Sequence, residues 1–476
     1  MSDWPSPAND PLAVDGEPPK TPSDGDLPPA QAQPGGWRHV GLAALALLLA
    51  GLIASRFIGL DHSPPGFYVD EAAIAAQVMC LRSTGGDAQG KPWPLFAEVL
   101  GGGQASPPTL YLGAAWTALF GDSVASFRAL AAAAGLGVVL GVAGAAAVIS
   151  GRVIALPIAL LVAVSSPWLF HLSRVFWDPI MAAALWAAAL AAYFWASRHG
   201  GDPGAPRRIG WMLFGVLSIA AAYTYPPVRI QVAVSWTLLA LFDRGFRQWR
   251  GWLWAAIPAA LLAIPLLSLY ADAGFRGRGS MLAIWNPRWL SDNGHALVDL
   301  PLIAIQQLGA HLSPGYLFAH GDTNLRHGSG YGGLIGAAEI AVLAAALLLG
   351  RWPGRAFGLL LALTLAGILP AALTWESTPH ALRSLGATGP WLMAVSLAAT
   401  SLVTAKPLGT TRVLAGLAAI ALISATLYGL DYHARYRQAA APWFDVNARP
   451  HDDPRYPALA RRYFEMRDGQ PCLATP

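Results

Sequence analysis

Long apolar runs recur along this sequence and limit what it can fold into. There are 11 runs, and most approach the length of about 20 residues that an α-helix needs to cross the core of a bilayer. They lie at 40–60, 127–149, 153–171, 175–197, 209–224, 228–242, 252–271, 331–350, 356–375, 384–404 and 412–430. The pattern predicts an all-α polytopic membrane protein with about 11 transmembrane helices, within a range of 11–13.

The charge content agrees with this prediction. Only 12% of the residues are Asp, Glu, Lys or Arg, whereas a soluble domain contains about 25%. The composition therefore excludes an ordinary cytosolic enzyme. A net charge of +4 is spread over 476 residues without a basic block, so no nucleic-acid partner is predicted.

The chain divides into three parts by composition. Residues 1–36 are acidic and rich in proline, which predicts a disordered cytoplasmic tail because such a segment buries little apolar surface. The tail is too long and too acidic for a secretory signal. Residues 37–430 form the predicted transmembrane domain, and 431–476 a short outer tail.

Basic residues in the short loops predict the orientation, because such loops face the cytoplasm. These residues are Arg152, Arg198, Arg207, Arg208, Arg244, Arg247, Arg250, Arg351, Arg355, Lys406 and Arg412. All of them share the side of the N-terminus only if the apolar segment 106–120 does not cross, so we interpret that segment as an interfacial helix. The first loop (61–126), the long loop (272–330) and the tail then face outward, and function is expected on that face.

Two cysteines, Cys80 and Cys472, allow at most one disulfide and cannot form a metal cluster alone. Two unrelated thiols are the preferred interpretation.

Five outer segments carry the residues suited to chemistry. In the first, Asp70 and Glu71 open an amphipathic segment, where they either cap a helix or serve a site at the membrane boundary. In the second, Arg174 and Asp178 are four residues apart and either form an ion pair on one helix face, or Arg174 binds a phosphate. In the third, Tyr225 precedes two prolines and Arg229, which is typical of an outer turn.

The last two segments combine cations with flexible backbone. Asp322, Arg326 and His327 lie in a glycine-rich stretch that could contact an anion closely or form a polar turn. Further on, His380 precedes Arg383, which either reaches the headgroups or binds phosphate.

The placement of these residues favours an enzyme over a transporter. The ionisable residues cluster at one membrane edge, whereas a transporter more often places them at the midplane between two related halves. A polytopic transporter or lipid flippase of the cell envelope is the alternative. No histidine pair has HxxxH spacing, and no metal or other cofactor is predicted.

Four motifs together resemble the GT-C glycosyltransferases, in particular bacterial members of the protein O-mannosyltransferase and aminoarabinose-transferase group (glycosyltransferase family 39-like). They are the pair Asp70-Glu71, Ser173-Arg174 with Asp178, GDxNxRH at 321–327 and PHALRSLG at 379–386. The resemblance covers about residues 37–440 and implies a GT-C fold with interfacial helices in the first outer loop.

The resemblance also implies a reaction. A polyprenyl-phosphate sugar would be the donor, and Asp70, with Glu71 beside it, would act as the base for an inverting transfer. Arg174, Arg326, His327 and Arg383 would bind the donor phosphate. Supporting roles would fall to Asp178, Tyr225, Arg229, Asp322 and His380.

The resemblance has limits that affect the metal and the acceptor. Some relatives carry an acidic residue, implicated in metal binding, where this chain has 103–108 without a carboxylate. The acceptor, a glycolipid, polysaccharide or protein, is not encoded in a readable motif. The expected location is the bacterial inner membrane, with the active site on the periplasmic face.

Overall fold

The structure is a computed structural model that describes residues 35–198, 204–243, 248–271, 273–405, 409–444 and 457–472. Nearly all of the predicted N-terminal tail lies outside these residues, as do Arg244, Arg247 and Lys406. The described residues fall into two compact units, with the boundary between Ala46 and Leu47.

Helices make up nearly all of the regular structure, as the apolar runs predict. In chain order α1 to α19 are Gly35–Ser55, Val69–Thr84, Pro107–Phe120, Val124–Ser150, Ala155–Val164, Pro167–Leu172, Asp178–Ser197, Ala205–Thr224, Pro226–Phe242, Trp249–Leu269, Ala273–Leu282, Pro287–Asp292, Leu300–His311, Ala337–Leu348, Arg355–Ala372, Thr388–Val403, Thr410–Asp431, Arg437–Ala439 and Ala458–Arg467. Two short strands, β1 (Ala97–Glu98) and β2 (Gln104–Ala105), pair antiparallel in the first loop.

Six helices within the described residues are long and apolar enough to cross a membrane, namely α4, α7, α10, α15, α16 with the turn before it, and α17 with its extension to Ala439. Four apolar helices are shorter: Gly41–Ser55, α5, α9 and α14. The chain is therefore a membrane protein, and the count of about 11 spans stays a prediction. Helix α3, the predicted interfacial segment, has 14 residues and is about 21 Å long, less than the ~30 Å of a bilayer core.

Two predicted runs differ in detail from the helices. The run 153–171 is divided into α5 and α6, because the chain leaves the helix at Ser165-Ser166 and Pro167 opens a new one. The run 331–350 becomes helical only at Ala337, because the glycine-rich loop before it continues to Gly336.

Small residues let the helices of the second unit pack closely. A Cβ added to Gly141 of α4 would lie 2.8 Å from the carbonyl carbon of Ala187 in α7. One added to Gly215 of α8 would lie 2.1 Å from the carbonyl oxygen of Ala255 in α10. Such close approach is typical of helices packed in a bilayer, where van der Waals contact replaces the hydrophobic effect.

Helix α7 connects two ends of this bundle. At its C-terminal end, the Ala196 and Ser197 carbonyls accept hydrogen bonds from Arg207 (3.0 Å) and Gln248 (2.9 Å). At its N-terminal end, Asp178 meets the start of α3 in the first loop. The loops around 321–333 and 379–386 also lie at this N-terminal end of α7. We call this end of the bundle the loop end.

A disulfide joins Cys80 of α2 to Cys472 beyond α19. The interpretation as two unrelated thiols was wrong, because their spacing along the sequence says nothing of how α19 packs on α2. Helix α19 also contacts the first loop, because Tyr463 donates to the Asp122 carbonyl (3.0 Å).

Candidate active site

A buried ion pair fixes the first loop. Glu71 and Arg128, both without solvent-exposed side-chain surface, are joined by hydrogen bonds of 2.7 and 2.9 Å. Glu71 also accepts from the backbone N–H groups of Tyr68 (3.2 Å) and Phe176 (2.9 Å). Arg128 donates its remaining hydrogens to the carbonyls of 60, 64 and 66. These contacts give Glu71 a structural task, and its predicted part in catalysis remains a prediction.

Asp70 lies one residue earlier on the same helix, in the first turn of α2. Consecutive helical side chains point about 100° apart, so Asp70 faces a different direction from Glu71. Unlike Glu71, Asp70 is partly exposed. The N-terminal position stabilises a carboxylate, because the unpaired N–H groups there carry partial positive charge.

Arg174 anchors backbone rather than facing an open site. It is completely buried and donates to the carbonyls of Ser63 (2.8 Å), Arg56 (2.9 Å) and Ile58 (2.7 Å), just past the end of α1. Arg56 in turn donates to the Val164 carbonyl at the end of α5 (3.0 Å). Arg56 thus satisfies a carbonyl at the end of α5, and Arg174 satisfies carbonyls of the turns that follow α1. The predicted phosphate role of Arg174 stays a prediction that these contacts do not favour.

Asp178 is held by hydroxyl groups. Its Oδ1 accepts hydrogen bonds from Ser106 (2.7 Å) and from Thr109, the first of which caps α3. These bonds tie the start of α7 to the start of α3. One of the two alternatives drawn from the sequence was that Asp178 pairs with Arg174, four residues earlier. In the structure Asp178 accepts from Ser106 and Thr109, and Arg174 donates to backbone carbonyls.

Arg229 and Tyr225 lie at the turn between α8 and α9. Arg229 donates to the Ala222 carbonyl (3.1 Å) and to the Tyr270 hydroxyl (2.7 Å), and its guanidinium lies 5.2 Å from the Phe275 ring centre. Tyr225 is the N-cap of α9. Arg229 thus contacts α8, the C-cap residue of α10 and α11, so it stabilises this turn.

The two predicted anion-binding segments meet at the loop end. The Asp322 Oδ2 accepts from the backbone N–H of Ala381 (2.9 Å), and the rings of His327 and His380 stack with centres 4.3 Å apart. His311 accepts from the backbone N–H of His380 (3.0 Å). The sequence motifs GDxNxRH and PHALRSLG therefore form one cluster.

Burial lowers the pKa of His327 and lowers that of His380 well below its ordinary value. Both imidazoles are therefore neutral near neutral pH. A neutral His327 offers a phosphate a hydrogen bond but no positive charge.

Arg326 reaches from this cluster towards α2. It donates to the Tyr68 hydroxyl, and its guanidinium lies 4.5 Å from the centre of the Tyr68 ring and 5.6 Å from that of Trp443. Since Tyr68 is two residues before Asp70, this contact brings a cation next to the segment that carries the proposed base.

Arg383 forms an ion pair with Glu376 (2.5 Å) and donates to the Thr374 hydroxyl (3.0 Å). Only about 10% of its side chain is exposed, against 48% for Glu376. This local pair was not among the alternatives drawn from the sequence.

Solved structures with a similar fold are glycosyltransferases. ArnT from Cupriavidus metallidurans in the apo state superposes with a TM-score of 0.54 at 13% identity, covering 89% of this chain and 85% of that one. The apo oligosaccharyltransferase of Archaeoglobus fulgidus gives 0.54 at 15% identity, covering 92% of this chain and 60% of that one. The chain has the GT-C fold.

A third GT-C structure is AglB of Archaeoglobus fulgidus in complex with an inhibitory peptide and a dolichol-phosphate, with a TM-score of 0.51, 14% identity and coverage of 92% and 60%. This chain spans only about three fifths of the archaeal enzymes. No protein-family model matches the sequence, and a comparison with curated proteins gives no match.

Some GT-C relatives carry an acidic residue, implicated in metal binding, just before the helix that corresponds to α3. In this chain the stretch 103–108, which leads into α3, contains no carboxylate. The corresponding stretch contributes Ser106 and Thr109, whose hydroxyls are both engaged by Asp178. One carboxylate with two donating hydroxyls does not match the carboxylate-rich oxygen sets that hold Mg²⁺ or Ca²⁺. No step of the reaction is therefore assigned to a metal at this place.

Several residues of the site were missed by the sequence analysis. Arg128 had a usable signal, because a charge at the start of an apolar run demands a partner. Tyr68, Trp443 and His311 had none, since their importance depends on contacts with segments more than 60 residues away.

Proposed function

We propose that this protein is a glycosyltransferase that moves a sugar from a polyprenyl-phosphate donor to an acceptor at the outer face of the bacterial inner membrane. The reaction is inverting, and Asp70 is the base. The observation that carries the proposal is the contact of Arg326 with Tyr68, because it joins a cationic loop to the helix that begins with Asp70.

The chemistry follows from these positions. Asp70, at a helix N-terminus, removes the proton from the acceptor hydroxyl, and the oxygen attacks the anomeric carbon. The bond to the phosphate breaks on the opposite side, and polyprenyl phosphate leaves. Arg326 stabilises the developing negative charge, helped by a hydrogen bond from neutral His327.

Arg383 is the second cation assigned to the phosphate. Its present partner Glu376 is nearly half exposed, so a donor phosphate would compete for Arg383 with a carboxylate that water also solvates. Glu71, Asp178 and Arg174 hold the surrounding backbone in place. The GT-C neighbour AglB, solved with dolichol-phosphate, supports a lipid phosphate as the shared donor chemistry.

The test is sugar transfer from a polyprenyl-phosphate donor in membranes that carry Asp70→Asn. Transfer is expected to fall by about 10²-fold or more, because the amide cannot accept the proton. Asp61→Asn, a change at an exposed carboxylate that contacts His62, is the matched control and should leave transfer unchanged. Undiminished transfer by Asp70→Asn at equal protein level would remove the proposed base.

The acceptor is identified separately. Envelope glycolipids, polysaccharides and proteins from a deletion strain are compared by mass spectrometry with those of the parent. The species that loses one sugar is the acceptor, and its mass difference gives a hexose or a pentose. An envelope unchanged under conditions that express the gene would contradict a transferase acting there.

A further inference from the structure

We propose that Asp322, His327 and His380 form a binding site for a divalent cation, with Zn²⁺ the best match. One oxygen and two ring nitrogens of these side chains lie within 4.8 Å of one another. The ligand set includes neither Asp70 nor Asp178, and metal binding can be measured without the transfer reaction.

The donor atoms are close to a coordinating arrangement. In a tetrahedral zinc site with bonds of about 2.0–2.1 Å, neighbouring ligand atoms lie about 3.4 Å apart. The Nδ1 of His327 is 3.5 Å from the Oδ2 of Asp322, which is longer than a good hydrogen bond. This pair is already at the ligand spacing, and the nitrogen of His380, within 4.8 Å of both atoms, would move closer on binding.

The Nδ1 atom of His327 also points to a missing partner. It is buried and has no hydrogen-bond partner within the part of the chain that the structure describes. Buried polar atoms are nearly always satisfied, and an ion is one of the explanations for those that are not. A cation between His327 and Asp322 would supply that partner.

Neighbouring groups hold the ligands in place. Asp322 accepts backbone hydrogen bonds from Asn324 and Ala381, both 2.9 Å long, and His380 is positioned by its backbone bond to His311. Such outer contacts orient ligands before the ion binds. The ligands come from two different loops, so the ion would tie residues 322–327 to residue 380.

The donor set selects the ion. Two imidazoles and one carboxylate suit Zn²⁺, whereas Mg²⁺ and Ca²⁺ prefer oxygen alone. Three protein ligands leave a fourth position open. With its Nδ1 on the ion, His327 keeps the N–H of its other ring nitrogen for the hydrogen bond to the phosphate.

The experiment measures metal content on the full-length protein without a histidine tag. The protein in detergent is stripped with a chelator, incubated with Zn²⁺ and desalted, and its zinc is determined by elemental mass spectrometry. We expect one tightly held equivalent. In His327→Gln and His380→Gln the affinity should fall by more than about tenfold, because each variant loses a ligand.

The matched control is His295→Gln, which removes an exposed histidine of the same outer loop. It should retain the full equivalent. Wild-type protein that holds no zinc, or variants of His327 and His380 that bind as tightly as the control, would overturn the proposal.

A second measurement covers the case in which a ligand variant fails to fold. Co²⁺ added to stripped wild-type protein should give the strong visible absorption of a four-coordinate site, and Zn²⁺ should displace it. Weak bands typical of six-coordinate Co²⁺ would contradict a site built from these three side chains.

Discussion

Buried arginines at the loop end satisfy their hydrogens in two different ways. Arg128 pairs with the carboxylate of Glu71, whereas Arg56 and Arg174 donate to backbone carbonyls at helix ends. Both arrangements are needed because an unpaired buried cation is costly. Mutations of these residues should therefore act on folding, and mutations of Arg326 should act on transfer.

Glu71→Ala is expected to lower the free energy of unfolding by about 3–5 kcal/mol, because Arg128 would remain buried without its partner. Thermal unfolding in detergent, followed by tryptophan fluorescence, measures the change. Glu98→Ala, at an exposed carboxylate in the same loop, is the control. Equal melting temperatures for the two variants would show that the pair does not support the fold.

Arg326→Ala and Arg174→Ala are expected to separate transfer from stability. The first should reduce transfer by about 10²-fold with an unchanged melting temperature, because a cation near the leaving phosphate is lost. The second should lower the melting temperature, because carbonyls after α1 lose their donors. If Arg174→Ala reduced transfer and Arg326→Ala lowered the melting temperature instead, Arg174 rather than Arg326 would be the residue that binds the phosphate.

For individual residues, the sequence predicted which ones matter better than it predicted which groups they contact. Asp322, His327 and His380 were singled out by their chemistry, and they do cluster. Glu71 and Arg174 were singled out for the same reason, yet their partners are Arg128 and three carbonyls. Local spacing cannot show such partners, since they lie 57 to more than 100 residues away.

Among the elements, helices were predicted well and their interruptions less well. Helix α7 falls within the run 175–197 to within a few residues, since apolar length alone determines it. The break between α5 and α6 was overlooked, although Ser165-Ser166-Pro167 is a usual signal for a helix end followed by a new start. Helix α19 was not predicted, because its polar sequence gives no apolar signal.

The disulfide between α2 and α19 gives a prediction about these two elements. Without reductant, the denatured protein should react with no maleimide, and after reduction it should react with two equivalents. Cys80→Ser should lower the free energy of unfolding by about 2–4 kcal/mol and expose residues 457–472 to protease.

The double variant Cys80→Ser with Cys472→Ser provides the control for that experiment. If the two thiols form one bond, either single change already removes it, and the double variant should be no less stable than each single one. Additive losses would mean that each cysteine contributes through its own packing.

For the whole molecule, composition and apolar length were enough to predict the class of fold. The GT-C resemblance drawn from four short motifs is confirmed at the level of the fold by ArnT and the archaeal oligosaccharyltransferase. The arrangement of the loop end was not predictable, because it depends on which loops meet across the bundle. The number of spans and the orientation remain predictions.

Reporter fusions test the orientation. A phosphatase that is active only outside the cytoplasm should be active when fused after Gly294 in the long loop and inactive when fused after Gly350. A fluorescent protein that folds only in the cytoplasm should give the opposite result at both sites. Activity of the phosphatase at Gly350 would contradict the predicted topology. Fusions that place 61–126 and 272–330 on opposite faces would favour a transporter.

The bridge between Cys80 and Cys472 also has a consequence for biosynthesis. Its two cysteines are 392 residues apart in the sequence, so the bond can close only after Cys472 has been synthesised and has reached the compartment that holds α2. Because disulfides form where the surroundings are oxidising, the bridge distinguishes an inserted chain that extends to Cys472 from one that stalled before it. The redox state of Cys80 therefore reports whether α19 has reached α2.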